Sequence, residues 1–272
     1  MTFEVDIYLS RLGLSTLSKT EEDLHILQTR QMQAIAFENV LPLLGTVPDL
    51  DPGAVWNKLV LDGRGGYCME QNTLLGAALE NAGFNHRPLL ARVRMGSAKG
   101  GPRCHLAFVV RLKGTDWLVD AGFGGPGPRV PLKIELGTEH QVLRETFRFT
   151  EDMAAGEIVL ERKTPEGWFQ LYGFDDMLPA QTDIEMSNFY CARSPQSPFP
   201  SNLMMARTTG SGRVSLFNRT LRQENSFGVK TEELADAAAL HRALSGCFLL
   251  SYGAETAEAI WNRLPVEASE AA

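Results

Sequence analysis

The chain has 272 residues, of which 44% are hydrophobic and 22% charged, an ordinary composition for a globular protein. Its net charge of -7 leaves no basic excess for phosphate contacts, so we expect no nucleic-acid partner. No apolar run approaches the ~18 residues of a membrane span. The opening MTFEVDIYLSRLGL lacks an apolar signal core, so we expect no membrane partner and a cytoplasmic protein.

Residues 1–85 have the pattern of a helical region. Thr20 and Asp23 predict a capping box, and Asp51-Pro52 predicts a cap followed by a first-turn proline. The run MEQNTLLGAALENAG places its leucines and alanines on one helical face, and Gly83 predicts the end of that helix. We therefore expect several packed helices in the first third of the chain.

Residues 86–190 change to short runs of branched and aromatic residues, which predict strands of a small closed or packed sheet. These runs are RPLLARVRM, HLAFVVRL, WLVDAGF, ETFRFT, EIVLERKT and GWFQLYGF. Residues 191–272 mix both kinds of element. From residue 187 we expect a Pro/Ser-rich connector, then the hairpin GRVSLFNRTLRQ, the closing helices KTEELADAAALHRAL and ETAEAIWNRL, and a frayed tail VEASEAA. The prediction is an α+β fold in three parts.

Cys68 is the candidate nucleophile. It follows Gly65-Gly66 at the start of a predicted helix, where the helix dipole lowers a thiol pKa. A buried, inert cysteine is the alternative explanation. The four cysteines have neither C-x-x-C nor zinc-finger spacing, so we expect reduced thiols and no metal.

His105 and Asp120 are the candidate base and its orienting group. Asp120 lies within the apolar run WLVDAGF, where a carboxylate is costly unless it is paired. A turn centred between Gly114 and Thr115 would place Val109 opposite Asp120, with His105 on the same face of the sheet. That register leaves His105 and Asp120 four residues apart, roughly 13 Å along the strand, so contact would require a bulge or another register.

These segments resemble the arylamine N-acetyltransferase family of bacterial type. The resemblance rests on RGGYCMEQN, HLAFVV and WLVDAGFGG, with further matches at YLSRLGL, IAFEN, SNFYCARSPQSPFPSNL and GRVSLFNRTL. It implies a cysteine-protease-like core in which a helical bundle (1–85) carries Cys68, a β-barrel (86–190) carries His105 and Asp120, and an α/β lid (191–272) follows. Two positions depart from the family pattern: Cys104 stands where a small residue is expected, and Gln71 stands where a leucine-like one is common.

The resemblance also implies an activity. Acetyl-CoA would donate an acetyl group to Cys68 of a Cys-His-Asp triad, and an arylamine or arylhydrazine would accept it in a ping-pong reaction. N-hydroxyarylamines are a further candidate class of acceptor, and xenobiotic metabolism is the implied role. No metal is implied, and monomer and homodimer both stay open.

The resemblance suggests positions around the triad as well. Phe37, Phe123 and Phe199 are candidates for an aromatic wall of the amine pocket, with ordinary core packing as the alternative. Residues 122–127, GFGGPG, satisfy G-x-G-x-x-G, but prolines follow where a dinucleotide site needs a helix, so we reject that interpretation. Gly124 and Gly125 instead predict a loop lining the acyl and CoA site.

Two further features are expected around the candidate nucleophile. Arg64 and Glu38 predict a structural, bidentate ion pair that braces the turn before Cys68. An oxyanion hole is also required, for which the N–H of Cys68 and an amide in residues 122–125 are candidates.

Three other classes of protein compete with this interpretation. A transglutaminase-like enzyme or thiol hydrolase uses the same triad on a peptide acyl group. A macrolactam-forming amide synthase is a relative within the same superfamily. A non-catalytic binding module is disfavoured because all three triad residues are present.

Overall fold

The computed structural model describes residues 3–265, so the predicted tail VEASEAA lies outside the described residues. In this range the α-helices are α1 Val5–Leu12, α2 Glu21–Ala34, α3 Val40–Leu43, α4 Pro52–Trp56, α5 Cys68–Asn81, α6 Gln181–Arg193, α7 Ala237–Gly246 and α8 Ala254–Trp261. A π-helical turn, Asn57–Leu61, continues α4. Both predicted caps are confirmed: Thr20 Oγ1 accepts the Asp23 N–H at 3.0 Å, and Asp51 Oδ1 accepts the Gly53 N–H at 2.8 Å.

The strands form two antiparallel sheets. Their bounds are β1 Phe37–Glu38, β2 Asn85–Val93, β3 Arg103–Leu112, β4 Thr115–Val119, β5 Leu132–Lys133, β6 Glu139–Val142, β7 Glu145–Asp152, β8 Glu157–Thr164, β9 Gly167–Phe174, β10 Met204–Thr208, β11 Arg213–Phe217, β12 Thr220–Asn225 and β13 Gly228–Glu233. The larger sheet has the order β5-β4-β3-β2-β9-β8-β7-β6, and the smaller has the order β1-β10-β11-β12-β13.

The larger sheet curls into a nearly closed barrel. One face encloses a core that includes Val109, Phe147, Phe149, Leu171 and Phe174. The other face of β3 and β4 packs against the N-terminal helices through a second core. The prediction of an α+β fold with a helical bundle and a β-barrel is therefore confirmed.

The smaller sheet joins the two ends of the chain. Its edge strand β1 belongs to the N-terminal region and pairs with β10, with Phe37 opposite Ala206. Helices α7 and α8 bury a third core against it that includes Leu216, Leu240 and Phe248. The hairpin β11–β12 confirms the prediction for GRVSLFNRTLRQ.

Two predicted elements were wrong. The connector expected from residue 187 begins only at Ser194, because α6 continues to Arg193 and the first proline after it is Pro195. The helix expected to begin at Lys230 begins at Ala237 instead. Lys230–Glu233 belong to β13, where pairing with β12 overrides helix propensity. The division at 85/86 and 190/191 stays a prediction.

Candidate active site

Cys68 is the first residue of α5, and the glycines before it are held close to the backbone of the preceding segment. A Cβ on Gly65 would lie 2.3 Å from the carbonyl oxygen of Ala36, so no side chain fits there. The Gly66 N–H donates to that same oxygen, and the Glu38 N–H donates to the Gly66 carbonyl. The glycine turn is thus fixed against β1, which sets the direction in which α5 starts.

His105 and Asp120 are in direct contact, with 2.7 Å between His105 Nε2 and Asp120 Oδ2. The predicted register of the β3–β4 hairpin was wrong. A two-residue turn at Lys113 and Gly114, both with positive φ, pairs Val109 with Leu118. If this register is continued past the end of β4, the offset between His105 and Asp120 along the strands is two residues instead of the predicted four. The side chains then face one another as diagonal neighbours.

Asp120 is held by several donors as well as by His105. Its Oδ1 accepts the Asn72 Nδ2 and the Gly122 N–H, both at 2.9 Å, and its Oδ2 accepts the Tyr172 hydroxyl at 2.9 Å. Its own N–H donates to Gln28 Oε1 at 3.0 Å. The carboxylate is buried but fully hydrogen-bonded, so it can stay ionised and orient the imidazole.

The electrostatics of the site favour a thiolate–imidazolium pair. Burial opposes the charged form of His105, but the Asp120 carboxylate and hydrogen bonds to Asp120 and Cys68 raise its pKa to about 10. A hydrogen bond with Cys191, followed by the hydrogen bond and charge of His105, outweighs burial and lowers the pKa of Cys68 to about 6. Since Nε2 faces Asp120, the other ring nitrogen of His105 is the one left to interact with Cys68.

Cys68 and His105 line a cavity of about 390 Å³. Phe37, Phe123 and Phe199 all line it, and their role as the wall of an amine pocket stays a prediction. Phe123 packs edge-on against His105, with 4.9 Å between ring centroids. Among the described residues that line the cavity, none is Lys, Arg, Asp or Glu, and His105 is the one ionisable base. Flat, apolar walls of this kind suit an aryl group.

The loop after Asp120 packs closely against Cys68 at the start of α5. A Cβ on Gly122 would lie 2.9 Å from the Cys68 Cα, so glycine permits the close approach of the two segments. Gly125 lines the cavity, whereas Gly124, with φ of 80°, faces the ring of Phe37. The Gly122 N–H already donates to Asp120, so the amides of residues 123–125 remain as candidate oxyanion donors beside that of Cys68.

The predicted Arg64–Glu38 pair is wrong in detail. Arg64 Nη2 donates to the Tyr252 hydroxyl at 3.0 Å, and that hydroxyl donates to Glu38 Oε1 at 2.9 Å. Lys58 is the cation beside Glu38, at 3.3 Å. Tyr252, from the C-terminal region, thus intervenes between the two residues, and their bracing role stays a prediction.

Sequence reasoning missed several residues of the site. Asn72 lies one helical turn after Cys68, and that spacing could have revealed it. Tyr172 and Gln28 reach Asp120 from distant segments, so no local pattern marks them. Gln71, noted as a departure from the family pattern, donates from Nε2 to the carbonyls of Ile35 and Ala36 and so holds the segment before Phe37.

Within residues 3–265, no three His, Cys, Asp or Glu side chains are arranged to hold a metal ion. In the same part of the chain, every helix is too short or too polar to cross a membrane.

The sequence of this chain is similar to those of known N-acetyltransferases. A family model described as N-acetyltransferase matches residues 20–256. The arylamine N-acetyltransferase of Mycobacterium tuberculosis is 35% identical over 257 residues, covering 91% of this chain and 89% of the relative. The arylamine N-acetyltransferase / N-hydroxyarylamine O-acetyltransferase of Salmonella typhimurium is 33% identical over 252 residues, with the same two coverages.

A solved structure gives the same result. The arylamine N-acetyltransferase of Mycobacterium marinum in complex with CoA superposes with a TM-score of 0.89 at 31% identity, covering 96% of this chain and all of that one. Fold and sequence together define an acetyltransferase enzyme. The chain belongs to the arylamine N-acetyltransferase family.

Proposed function

We propose that this protein transfers an acetyl group from acetyl-CoA to the nitrogen of arylamines and arylhydrazines through a thioester on Cys68. The observation that carries the proposal is the His105–Asp120 contact of 2.7 Å beside a cysteine whose pKa is lowered, at the wall of an aromatic cavity. The CoA complex of the M. marinum relative supports the donor, and the names of the relatives support the acceptor. The name of the Salmonella relative adds N-hydroxyarylamines as candidate acceptors.

In the first half-reaction the Cys68 thiolate attacks the thioester carbonyl of acetyl-CoA. The new C–S bond forms as the bond to the CoA sulfur breaks, and the His105 imidazolium gives its proton to the departing thiolate. The N–H groups of Cys68 and of residues 123–125 would stabilise the oxyanion. Asp120 holds the imidazole by its 2.7 Å contact and so orients the proton.

In the second half-reaction the acceptor nitrogen attacks acetyl-Cys68. His105, now neutral, takes the proton of the amine as the Cys68 sulfur leaves. The walls formed by Phe37, Phe123 and Phe199 would hold the aryl ring next to the thioester and exclude water, which favours transfer over hydrolysis.

The direct test is the intact-protein mass after mixing with acetyl-CoA in the absence of acceptor. We expect one added acetyl group, its absence in Cys68→Ala, and its discharge by an aromatic amine or hydrazine. An acetylated Cys68→Ala protein would contradict the role of this cysteine. An unmodified wild-type protein would contradict the donor.

The same assay separates the competing enzymes. A thiol hydrolase or transglutaminase-like enzyme would be acylated by a peptide reporter instead of acetyl-CoA. An amide synthase would discharge its acyl group onto an amine within the same acyl chain. The whole-chain similarity to named arylamine N-acetyltransferases favours the acetyltransferase.

A further inference from the structure

Three of the four cysteines line the same cavity, although they come from three different elements. Cys68 begins α5, Cys104 lies in β3 directly before His105, and Cys191 lies in the last turn of α6. The fourth, Cys247, follows α7 and is not among the residues that line this cavity. The acetyl-transfer mechanism assigns a role to Cys68 alone, so the other two thiols need an explanation.

The sulfurs of Cys68 and Cys191 converge on one atom. The carbonyl oxygen of Cys104 is 3.3 Å from the Cys191 Sγ and 3.7 Å from the Cys68 Sγ. The two thiols also shift one another's pKa, since Cys191 lowers the pKa of Cys68 and Cys68 raises that of Cys191. Cys68 and Cys191 are buried, and Cys104 is partly exposed. The three side chains thus form a connected group, which we call the thiol cluster.

The chemistry of this cluster is asymmetric. Cys68 is the thiolate, and thiolates are the form that peroxides oxidise. Hydrogen bonds to its neighbours, burial and the charge of Cys68 raise the pKa of Cys191, which keeps it a neutral thiol beside the reduced enzyme. Once Cys68 is a neutral sulfenic acid, that nearby negative charge is gone, and Cys191 becomes easier to ionise.

We propose that Cys191 is the resolving thiol of an oxidation site centred on Cys68. Hydrogen peroxide converts Cys68 to a sulfenic acid, and Cys191 then closes a Cys68–Cys191 disulfide that blocks acetylation until a thiol reductant opens it. The block on acetylation rests on the proposed function, whereas the disulfide itself does not.

The atoms and electrons balance in two steps. In the first, the Cys68 sulfur forms a bond to one peroxide oxygen as the O–O bond breaks, and the other oxygen leaves as hydroxide. In the second, the Cys191 sulfur bonds to the Cys68 sulfur as the S–O bond breaks, and the sulfenic oxygen leaves as water with the Cys191 proton. The peroxide is reduced and two thiols are oxidised.

The disulfide protects the enzyme because it competes with irreversible oxidation. A sulfenic acid without a partner takes a second peroxide and becomes a sulfinic acid, which a thiol reductant does not reverse. A buried thiol that is held beside the same carbonyl oxygen as the Cys68 sulfur reacts with little of the entropic cost of bringing two groups together. We therefore expect oxidation of Cys68 to end in a reversible disulfide when Cys191 is present and in an irreversible sulfinic acid when it is absent.

The experiment treats the reduced full-length protein with hydrogen peroxide and maps its cysteines by non-reducing peptide mass spectrometry. We expect wild type to lose two hydrogen atoms and yield a linked Cys68–Cys191 peptide, which dithiothreitol reverses. Cys191→Ser is expected to gain two oxygen atoms at Cys68 that dithiothreitol does not remove. Cys104→Ser, from the same cluster, and Cys247→Ser, from outside it, should still form the Cys68–Cys191 link.

Two results would overturn the proposal: a sulfinic acid at Cys68 in wild type at the same peroxide dose as in Cys191→Ser, or a disulfide that joins Cys68 to Cys104 or to a second chain. The wild-type peptide map alone shows whether Cys68 is linked to Cys191, to another cysteine or to none, so a folding defect in Cys191→Ser leaves the test intact. Protein that forms the disulfide but is never acetylated by acetyl-CoA contradicts only the proposed function. Protein that is acetylated but forms no disulfide contradicts only the oxidation site.

Discussion

The Cys68 thiol is expected to ionise below neutral pH. Its pKa is lowered to about 6, so the thiolate prevails above that pH and is lost as the pH falls through it. The rate of alkylation at Cys68 by iodoacetamide should therefore stay near its maximum at pH 7 and fall as the pH drops through about 6. Peptide mass spectrometry at this cysteine gives the rate.

His105→Gln is the matched variant for this titration. Without the imidazolium, the midpoint of alkylation at Cys68 should move up towards the ordinary thiol value of 9.0. A wild-type midpoint already near that ordinary value would contradict the ion pair.

Arg64 is expected to matter for stability more than for chemistry. Arg64→Gln removes the donor to Tyr252 and a guanidinium that lies 4.8 Å from the centre of its ring. We expect the free energy of unfolding to fall by about 1.5–3 kcal/mol, the range for a hydrogen bond to a charged group, with little change in the acetylation rate of Cys68. Thermal melting beside the mass assay measures both, and Arg64→Lys should behave similarly.

An exposed arginine provides the control for Arg64. Arg111 pairs with Asp116 at 2.9 Å, but the side chain of Arg111 is 55% exposed. Arg111→Gln should therefore change the free energy of unfolding by only about 0–1 kcal/mol. A melting temperature unchanged in Arg64→Gln would refute the bracing role.

At the residue scale the sequence pointed to the three candidate triad residues, which the structure brings together, but not to the groups that hold them. Cys68, His105 and Asp120 each carry a local signal: a helix start, a strand edge, and a carboxylate in an apolar run. The donor Tyr172 and the acceptor Gln28 are 52 and 92 positions from Asp120 along the chain. Their approach depends on closure of the barrel and packing of α2, which no local pattern encodes.

At the scale of elements, the loop after β4 is expected to tolerate an added methyl group at one glycine but not at another. In Gly122→Ala the new Cβ would meet Asn72 Nδ2 at 2.6 Å and the backbone of Cys68. Overpacking of this kind costs roughly 1–3 kcal/mol, so we expect a lower melting temperature and slower acetylation of Cys68.

Gly125→Ala is the matched variant in the same loop. A Cβ there would meet nothing within 4 Å, so the melting temperature should stay that of wild type. Equal melting temperatures for the two variants would contradict the close approach of this loop to α5.

Element boundaries were predictable where a cap or turn residue marks them. The N-caps of α2 at Thr20 and of α4 at Asp51 are examples. The β3–β4 register was not predictable to one residue, because Lys113 adopts a positive φ that its residue type does not signal. In the predicted register His105 and Asp120 were four residues apart, and in the observed register they are in contact.

At the scale of the whole molecule, the cavity is expected to discriminate against charged acceptors. Among the described residues, its walls bring no Lys or Arg that could pair with a carboxylate on the aryl ring, and His105 would be neutral in the acetyl-enzyme that the acceptor meets. Transfer to 4-aminobenzoate should therefore have a kcat/KM at least about tenfold below that for 4-methylaniline, because the carboxylate would lose hydration without compensation. Steady-state kinetics with the two amines measures the ratio.

Ser215, in the cavity wall, offers the control. Ser215→Arg supplies a cation and should bring the kcat/KM for 4-aminobenzoate closer to that for 4-methylaniline. Ser215→Gln is a neutral change and should leave the difference between the two kcat/KM values as in wild type. Equal kcat/KM values for both amines in wild type would refute this account of the cavity.

The short pairing of β1 with β10 also constrains the order of assembly. Asn39, next to β1, accepts the N–H of Met204 in β10, a residue 165 positions later in the chain. Contacts of such sequence separation form late in folding, since a long loop must close before they are gained. During synthesis Cys68, His105 and Asp120 leave the ribosome well before β10, while the strand that carries Phe37 still lacks its partner. The cavity therefore lacks part of its wall until β10 has been made, so a nascent chain contains the Cys68 thiol before the cavity around it can be complete.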